Sequence, residues 1–204
     1  MKNKTFIANI IEVNMLISKF KTDIDQIDIK RIEKTLGIEL PKEYASFIER
    51  YNGGETPNTE WHGKNRSDVR GFFGVDVSDR NWDLLEQVKS ETGTTLFENG
   101  LLPIACNVFG DYFCLNYKDG TIWLMYHDAD RKELLADDFS SFISKCKSER
   151  IRKEAMLSIE EREQMMIAKG KADKITDGLR KMWQAEIDKY FGMNQEEVRN
   201  LRSC

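Results

Sequence analysis

The chain has 204 residues, enough for one sizeable hydrophobic core and an appendage but not for two full domains. Hydrophobic residues make up 40% of it and charged residues 32%, and its 11 Phe, 6 Tyr and 4 Trp exclude an intrinsically disordered chain. The net charge of −4 is uneven, since residues 1–147 hold 19 basic against 24 acidic side chains and residues 148–204 hold 12 against 11.

The acidic balance of residues 1–147 bears on the partners that the protein can have. Acidic surface repels nucleic-acid phosphates, so binding to DNA or RNA is disfavoured, whereas a basic protein is attracted. The alternative is that this charge only keeps the protein soluble.

Cysteine placement and the N-terminal residues predict a cytoplasmic protein with no metal site, cofactor or membrane segment. The four cysteines are Cys106, Cys114, Cys146 and Cys204. They show no CxxC spacing and no neighbouring histidine cluster, and the first three lie in apolar runs typical of reduced core cysteines. Glu12 and Asn14 interrupt the apolar N-terminus, which argues against a signal peptide, and no apolar stretch is long enough to cross a membrane.

Two helices are predicted near the start of the chain. Residues 27–36 have apolar side chains at helical spacing and are followed by Gly37, which suits the left-handed position after a helix. The second helix opens at Pro41 and carries an apolar stripe as far as Tyr51, before the stop signal at residues 52–54.

The next segment has weaker signals. Residues 55–69 are polar and rich in turn formers, so we expect an irregular loop that contains Trp61. A short apolar run at 71–77 is a strand candidate, and residues 81–91 predict a helix with Asn81 as its cap.

The strongest local signal is a β-hairpin. Asp119-Gly120 lies between two apolar runs, residues 112–117 and 121–127, which predicts two strands joined by a two-residue turn. Residues 102–108 form a further strand candidate just before them.

The two faces of this hairpin differ. In the predicted register Leu115 pairs with Leu124 on a wholly apolar face, which must belong to the core. The opposite face, called the mixed face below, consists of Tyr112, Cys114, Asn116, Trp123, Met125 and His127. It is too apolar for bare solvent, so another part of the chain is expected to cover it. An amphipathic helix over residues 136–147 closes the domain.

Beyond residue 147 the composition shifts to Lys, Arg, Glu, Gln and Met, which favours helix. We therefore divide the chain into an α+β domain, residues 1–147, and a helical extension, residues 148–204. In the extension, capping-box patterns begin at Ser158 and at Asn194.

A longer helix is predicted between these two boxes, at residues 174–191, and its apolar stripe is too wide to face water. It is expected to pack back on the parent domain, with the mixed face as the favoured place. The alternative is a homodimer through the same helix of a second chain.

Together these elements predict an α+β fold with a mainly antiparallel sheet, helices packed on one face and a helical C-terminal extension. Several motifs follow one another in a distinctive order: Leu40-Pro41, Tyr44, Phe47-Ile48, Tyr51-Asn52-Gly53-Gly54, Leu102-Pro103-Ile104-Ala105, Gly110-Asp111, Phe113-Cys114-Leu115, Gly120, Ala136, Phe139 and Phe142-Ile143. Over roughly residues 26–147 this order resembles the SUKH superfamily, which includes a fungal cell-wall-synthesis regulator domain.

The resemblance implies a binding protein that is not an enzyme. Bacterial members of the superfamily resemble immunity proteins that bind polymorphic toxins, such as nucleases and deaminases, and neutralise them. Other members resemble regulatory interaction modules, which is the alternative function. The extension, residues 148–204, lies outside the resemblance.

The partner site is expected at the open end of the hairpin. The predicted register places Asp111 opposite Asp128, and with Asp130 they form an acidic cluster for the Arg or Lys of a basic toxin, with a divalent cation as the alternative ligand. The alternative is that these carboxylates are merely solvated. Trp61 and Trp123 are candidate anchors for the partner, and core packing is the alternative for Trp61, as it is for Trp82.

A hydrolase is the alternative from a different class. It would use His127 as a general base beside Asp128, joined by His62. A half-buried histidine at a strand end explains His127 better, and the chain has no glycine-rich phosphate loop, HExxH or GxSxG motif. We therefore expect no catalytic residues.

Overall fold

A computed structural model describes residues 12–22, 26–199 and 201. The strands are β1 (Glu12–Asn14), β2 (Leu16–Ile17), β3 (Gly54–His62), β4 (Arg66–Phe72), β5 (Leu101–Cys106), β6 (Tyr112–Asn116), β7 (Ile122–Met125), β8 (Lys132–Ala136), β9 (Cys146–Glu149) and β10 (Glu196–Glu197). Eight of them form a curled antiparallel sheet in the order β1-β9-β3-β4-β5-β6-β7-β8, and β10 pairs with β2 in a second, two-stranded sheet. The predicted α+β class with a mainly antiparallel sheet is confirmed.

The helices of the described residues are α1 (Ile29–Leu36), α2 (Lys42–Tyr51), α3 (Leu84–Lys89), α4 (Glu91–Glu98), α5 (Phe139–Lys145), α6 (Ile159–Ala168) and α7 (Asp177–Tyr190). The predictions of α1 and α2 are confirmed, since α1 ends at a left-handed Gly37 and α2 begins directly after Pro41. Within these described residues, no helix has the length and apolar character needed to cross a membrane.

The main core lies between one face of the sheet and helices α2 and α5. The Phe47 ring of α2 lies 5.1 Å from Phe72 of β4 and 5.2 Å from Phe139 of α5, measured between ring centroids. Burying each such side chain contributes roughly 1.5–3 kcal/mol, so these contacts hold the helices on the sheet. Cys114 and Cys146 are buried free thiols, as predicted, Cys106 is a free thiol that is only partly buried, and Cys204 lies outside the described residues.

The β6–β7 hairpin forms as predicted, but its register is shifted by two residues. Leu115 pairs with Ile122 and not with Leu124. The turn is longer than the expected two residues because the Gly120 N–H donates to the Asn116 carbonyl oxygen, and because the Asn116 side-chain amide donates to Asp119. A shift of two keeps every side chain on its predicted face, so Leu115 still faces the core.

The irregular loop expected over residues 55–69 is wrong, because the structure forms the β3–β4 hairpin there. A bulge between Glu55 and Thr59 breaks the alternation that identifies a strand in the sequence. Beyond the bulge, Thr59 and Trp61 point inward and Glu60 points outward. Because polar residues such as Thr59 point inward, the hydrophobic pattern of the sequence does not predict this strand.

The helix expected over residues 81–91 is also corrected, since a 3₁₀ turn, α3 and α4 replace it. Asp83, and not Asn81, caps α3 by accepting from the N–H groups of Leu85 and Glu86. Ser90 caps α4 by accepting from the N–H of Gly93 at 3.0 Å. Because this segment contains two residues that can cap a helix, it forms two short helices instead of one long helix.

The helix expected over residues 136–147 is shorter, because α5 ends at Lys145 and β9 begins at Cys146. Strand β9 lies between β1 and β3, and it spans the expected boundary between residues 147 and 148. The boundary remains a prediction, but the main sheet includes residues on both sides of it.

The extension begins as predicted and ends differently. Ser158 and Glu161 form the expected capping box at the start of α6. Asn194 starts no helix among the described residues, since its N–H donates to Ser18 Oγ at 3.0 Å and β10 follows, paired with β2. Val198 is buried in the main core cluster. Contacts with distant residues therefore override the local capping pattern, and the chain returns to β2 and the main core.

Helix α7 packs on its own chain, but not on the mixed face. Tyr190 joins a small buried cluster with Ile151 and Ala155, and its hydroxyl lies 3.0 Å from Asn58 Oδ1 at the bulge of β3. The mixed face is instead covered in part by α4, where Leu96 packs with Cys114. The expected cover therefore comes from a different helix, because α4 leads directly into β5 beside that face.

Candidate functional site

The loop between β5 and β6 is closed by two side chains at its base. Asn107 donates from its side-chain amide to Asp111 Oδ2 at 2.9 Å, and its own Oδ1 accepts from the Asp111 N–H at 2.9 Å. This closed loop directs Val108 and Phe109 outward, where they are 62% and 71% exposed. Exposed aromatic side chains on a fixed loop are typical anchors of protein interfaces.

Asp111 also ties this loop to the turn that follows β7. Its Oδ1 lies 2.7 Å from His127 Nδ1 and accepts from the His127 backbone N–H at 3.0 Å. Burial alone raises the pKa of the Asp111 carboxyl, but the hydrogen bonds from His127 and Asn107 outweigh burial and lower the pKa below its usual value. The same hydrogen bond raises the pKa of His127, as does the charge of Asp128.

The predicted cluster of Asp111, Asp128 and Asp130 is brought together only in part. Candidate ligand atoms of Asp111, His127 and Asp128 lie within 4.8 Å of one another, whereas Asp130 is an exposed residue outside this group. Asp111 is only 6% exposed and both of its oxygens accept hydrogen bonds, so it holds the two loops together. Of the three predicted carboxylates, Asp128 and Asp130 are the ones available to a partner.

An open cleft lies beside this turn, where the curled sheet brings β3 and β4 towards β7 and β8. This acidic cleft has a volume of about 310 Å³ and is lined by Glu60, Trp61, Asp68, Asp111, Tyr126 and Glu133, among others. Phe109 lines the same cleft. Carboxylates from three strands, together with Asp111 of the loop before β6, therefore line one concave surface.

The carboxylates of the acidic cleft differ in how far their charge is balanced. Glu60 lies 3.1 Å from Arg66 Nη1 in a salt bridge. Asp68 accepts from the neutral N–H of Val108 at 2.9 Å, and Glu133 accepts from Asn65 at 3.0 Å. Across the described ranges, neither Asp68 nor Glu133 is paired with a basic side chain, so the cleft keeps a negative charge.

The two candidate anchors, Trp61 and Trp123, lie on opposite faces of the sheet. Trp61 is in β3 and not in a loop, is only 3% exposed, and stacks near Phe142 with ring centroids 6.5 Å apart. Its indole Nε1 is buried with no hydrogen-bond partner among the described residues. Trp123 is half-buried on the mixed face, and its indole N–H donates to Thr121 Oγ1 at 2.9 Å.

Several residues of this surface were missed from the sequence. Val108 was assigned to the preceding strand, but β5 ends at Cys106 and Asn107 starts the loop. The Asn107 to Gly110 spacing is the local signal that points to this turn. No local signal marks Asp68 or Glu133, because only the curl of the sheet brings them together.

The pair predicted for a hydrolase is rearranged. His127 Nδ1 is bonded to Asp111 and not to Asp128, and His62 Nε2 lies 3.6 Å from Glu60. A histidine oriented by a buried carboxylate is compatible with acid–base chemistry and equally with a structural link between two loops.

The elements from α1 to α5 pack around the curled sheet and define an α+β domain. The model of the SMI1 / KNR4 family (SUKH-1) matches residues 23–145, more than half of the chain, and the chain belongs to this family. The resemblance derived from the sequence motifs is thereby confirmed. The SPbeta prophage-derived uncharacterized protein YokK of Bacillus subtilis (strain 168) is 24% identical over 139 residues, which cover 56% of this chain and 70% of that protein.

Proposed function

We propose that the protein is an immunity-type binding protein that neutralises a toxin domain by direct protein–protein binding. The observation that carries the proposal is the acidic cleft beside the exposed Phe109, on a domain of the SUKH-1 family. An exposed aromatic residue beside carboxylates without a cationic partner matches an interface in which one side chain anchors the contact and charge directs it.

The charge of the surface favours a basic partner. A nuclease needs basic side chains to hold nucleic-acid phosphates, and the family resemblance favours toxins of the nuclease or deaminase class. An acidic inhibitor that occupies such a basic surface excludes the substrate by competition. Association should then be fast at low salt and slow at high salt, because exposed charges are screened.

The protein acts in this proposal without catalysis. Asp111 is buried and fully hydrogen-bonded, and it forms the link between the Asn107 loop and His127. The His127–Asp111 pair is the one observation that favours a hydrolase as second candidate. Turnover that disappears in a His127→Ala variant would establish that candidate and contradict the binding role.

The test begins with affinity capture of the full chain from its native host, and identification of what binds. The captured protein is then expressed alone and together with this protein in a second host. Growth arrest by the partner alone, relieved by co-expression, is the expected result. A bound partner that does not arrest growth would contradict immunity and support a regulatory scaffold.

A further inference from the structure

We propose that the acidic cleft receives an arginine side chain of the partner, with Asp68 and Glu133 pairing its guanidinium group and the Trp61 indole N–H donating to a carbonyl oxygen of the same segment. The identity of the partner as a basic toxin rests on the proposed function. The chemistry of the cleft does not, since it follows from the described residues alone.

The two carboxylates of the acidic cleft, Asp68 and Glu133, have no cationic partner among the described residues. Asp68 and Glu133 have neutral hydrogen-bond donors only, from Val108 and from Asn65 and Tyr126. A carboxylate bound by neutral donors keeps its full charge and spare acceptor positions. Both therefore favour a cation that enters the cleft.

The indole of Trp61 is a buried donor that needs an acceptor. The residue lines the acidic cleft, is 3% exposed, and its Nε1 has no hydrogen-bond partner within the described part of the chain. A buried donor without a partner costs free energy, and a ligand that supplies an acceptor removes this cost. Since an isolated metal ion supplies no acceptor, the observation favours a ligand with both a cation and a carbonyl group.

A peptide segment containing arginine combines these two features. The guanidinium group has five N–H donors in a planar arrangement and can bind two carboxylates at once, whereas the ammonium group of lysine is a compact point charge. Phe109 at the cleft offers an apolar surface for the methylene groups of the same side chain. The cleft should therefore prefer arginine to lysine.

The test is a titration of the full chain with N-acetyl-arginine amide, followed by the indole N–H signals of its four tryptophans in NMR spectra. The Trp61 signal is identified by its loss in a Trp61→Phe variant. We expect a saturable shift of that signal, binding at about millimolar affinity as is usual for a fragment, and weaker binding of N-acetyl-lysine amide. N-acetyl-citrulline amide has a similar shape without the charge, and equal binding of it would overturn the proposal.

The matched variant is Asp68→Asn with Glu133→Gln, which removes both charges and keeps acceptors for the present donors. Its affinity for N-acetyl-arginine amide should fall by about tenfold or more, because the variant loses both charge-assisted contacts to the guanidinium group. Glu49→Gln, in the exposed part of α2, is the control and should bind as the parent does. Equal affinity of the double variant would assign the cleft to solvated surface.

The same variants separate this inference from the proposed function. A captured toxin that binds the double variant as tightly as the parent would support immunity and refute the arginine site. Saturable, charge-dependent binding of the arginine probe without any toxic partner would support the site and refute immunity.

Discussion

The side-chain amide of Asn65 donates to both carboxylate oxygens of Glu133, at 3.0 Å each. Asn65 lies in the turn between β3 and β4, and Glu133 lies in the edge strand β8. These strands are far apart in the order of the sheet, so the contact joins its two halves across the acidic cleft. The shape of the cleft depends on this link.

An Asn65→Ala variant tests the link. It should lower the free energy of unfolding by about 0.5–1.5 kcal/mol, the usual net contribution of a hydrogen bond, and raise the mobility of β8 in hydrogen exchange. Urea unfolding measures the first effect. Asn81→Ala, an exposed residue of the 3₁₀ turn, should stay within about 0.5 kcal/mol of the parent, and an equal loss in both variants would contradict the prediction.

The His127–Asp111 pair predicts how stability depends on pH. The folded-state pKa of His127 is raised by its hydrogen bond to Asp111, so protonated His127 stabilises the fold. This contribution is complete below the unfolded value of about 6.5 and is lost as the pH rises through the raised folded value. The difference in unfolding free energy between parent and His127→Ala should therefore be larger at about pH 5.5 than at about pH 8.5.

The contribution of Asp111 to stability depends on pH in the opposite direction. Because its pKa is lowered in the folded state, its ionised form contributes stability above about pH 3.9, and this stability is lost as the pH falls through the lowered value. Asp111 should thus remain ionised over the whole range in which His127 titrates. A parent and a His127→Ala variant that differ equally at both pH values would show that the pair contributes no linkage.

Charge reversal distinguishes the carboxylates that the sequence grouped together. Asp128→Lys with Asp130→Lys should leave stability within about 0.5 kcal/mol, since both residues are exposed, and should slow association with a basic partner and reduce its salt dependence. Glu49→Lys with Glu98→Lys, on α2 and α4, is the matched control for net charge. Equal effects of the two pairs would show that net charge alone matters.

Asp111→Lys is expected to behave differently. The carboxylate is buried and accepts from Asn107 and His127, so a lysine there leaves those donors unsatisfied and buries an unpaired cation. The variant should lose about 3–5 kcal/mol or fail to fold, as thermal unfolding would show. Stability close to that of the parent would contradict the structural role of Asp111.

Sequence reasoning found the elements whose signals are local. A glycine after α1, a proline before α2, a capping box before α6 and a turn in the β6–β7 hairpin each act within a few residues. The β3–β4 hairpin was missed because its bulge breaks the two-residue period, and β10 because it depends on pairing with β2.

In the candidate site, likewise, only the contacts between neighbouring strands of the hairpin could be predicted from the sequence. The hairpin placed Asp111 near Asp128, which the structure shows, although the shift in register gives Asp111 His127 as its partner. The joining of Asp68 and Glu133 in one cleft depends on the curl of the sheet, a property of packing over the whole domain. No pattern within a single strand predicts it.

The extension should be needed for the stability of the first domain. A chain that ends after Glu149 keeps β9 but loses β10, Val198 and the packing of α7, which exposes apolar surface that the full chain buries. We expect a lower melting temperature and stronger binding of a hydrophobic dye. A shortened chain as stable as the full one would show that the extension is an independent unit.

The remaining apolar side chains of α7 test the homodimer that the sequence left open. Trp183 and Tyr190 are buried on the same chain, whereas Met182 is 60% exposed and Phe191, which directly follows α7, is 83% exposed. If α7 packs only on its own chain, Met182→Lys with Phe191→Lys should leave the melting temperature within a few degrees of the parent value. The conversion is about 2–4 °C per kcal/mol for a chain of this size. Sedimentation should then give a monomer for both the parent and the double variant. A parent that sediments as a dimer and a double variant that sediments as a monomer would assign these side chains to self-association through α7.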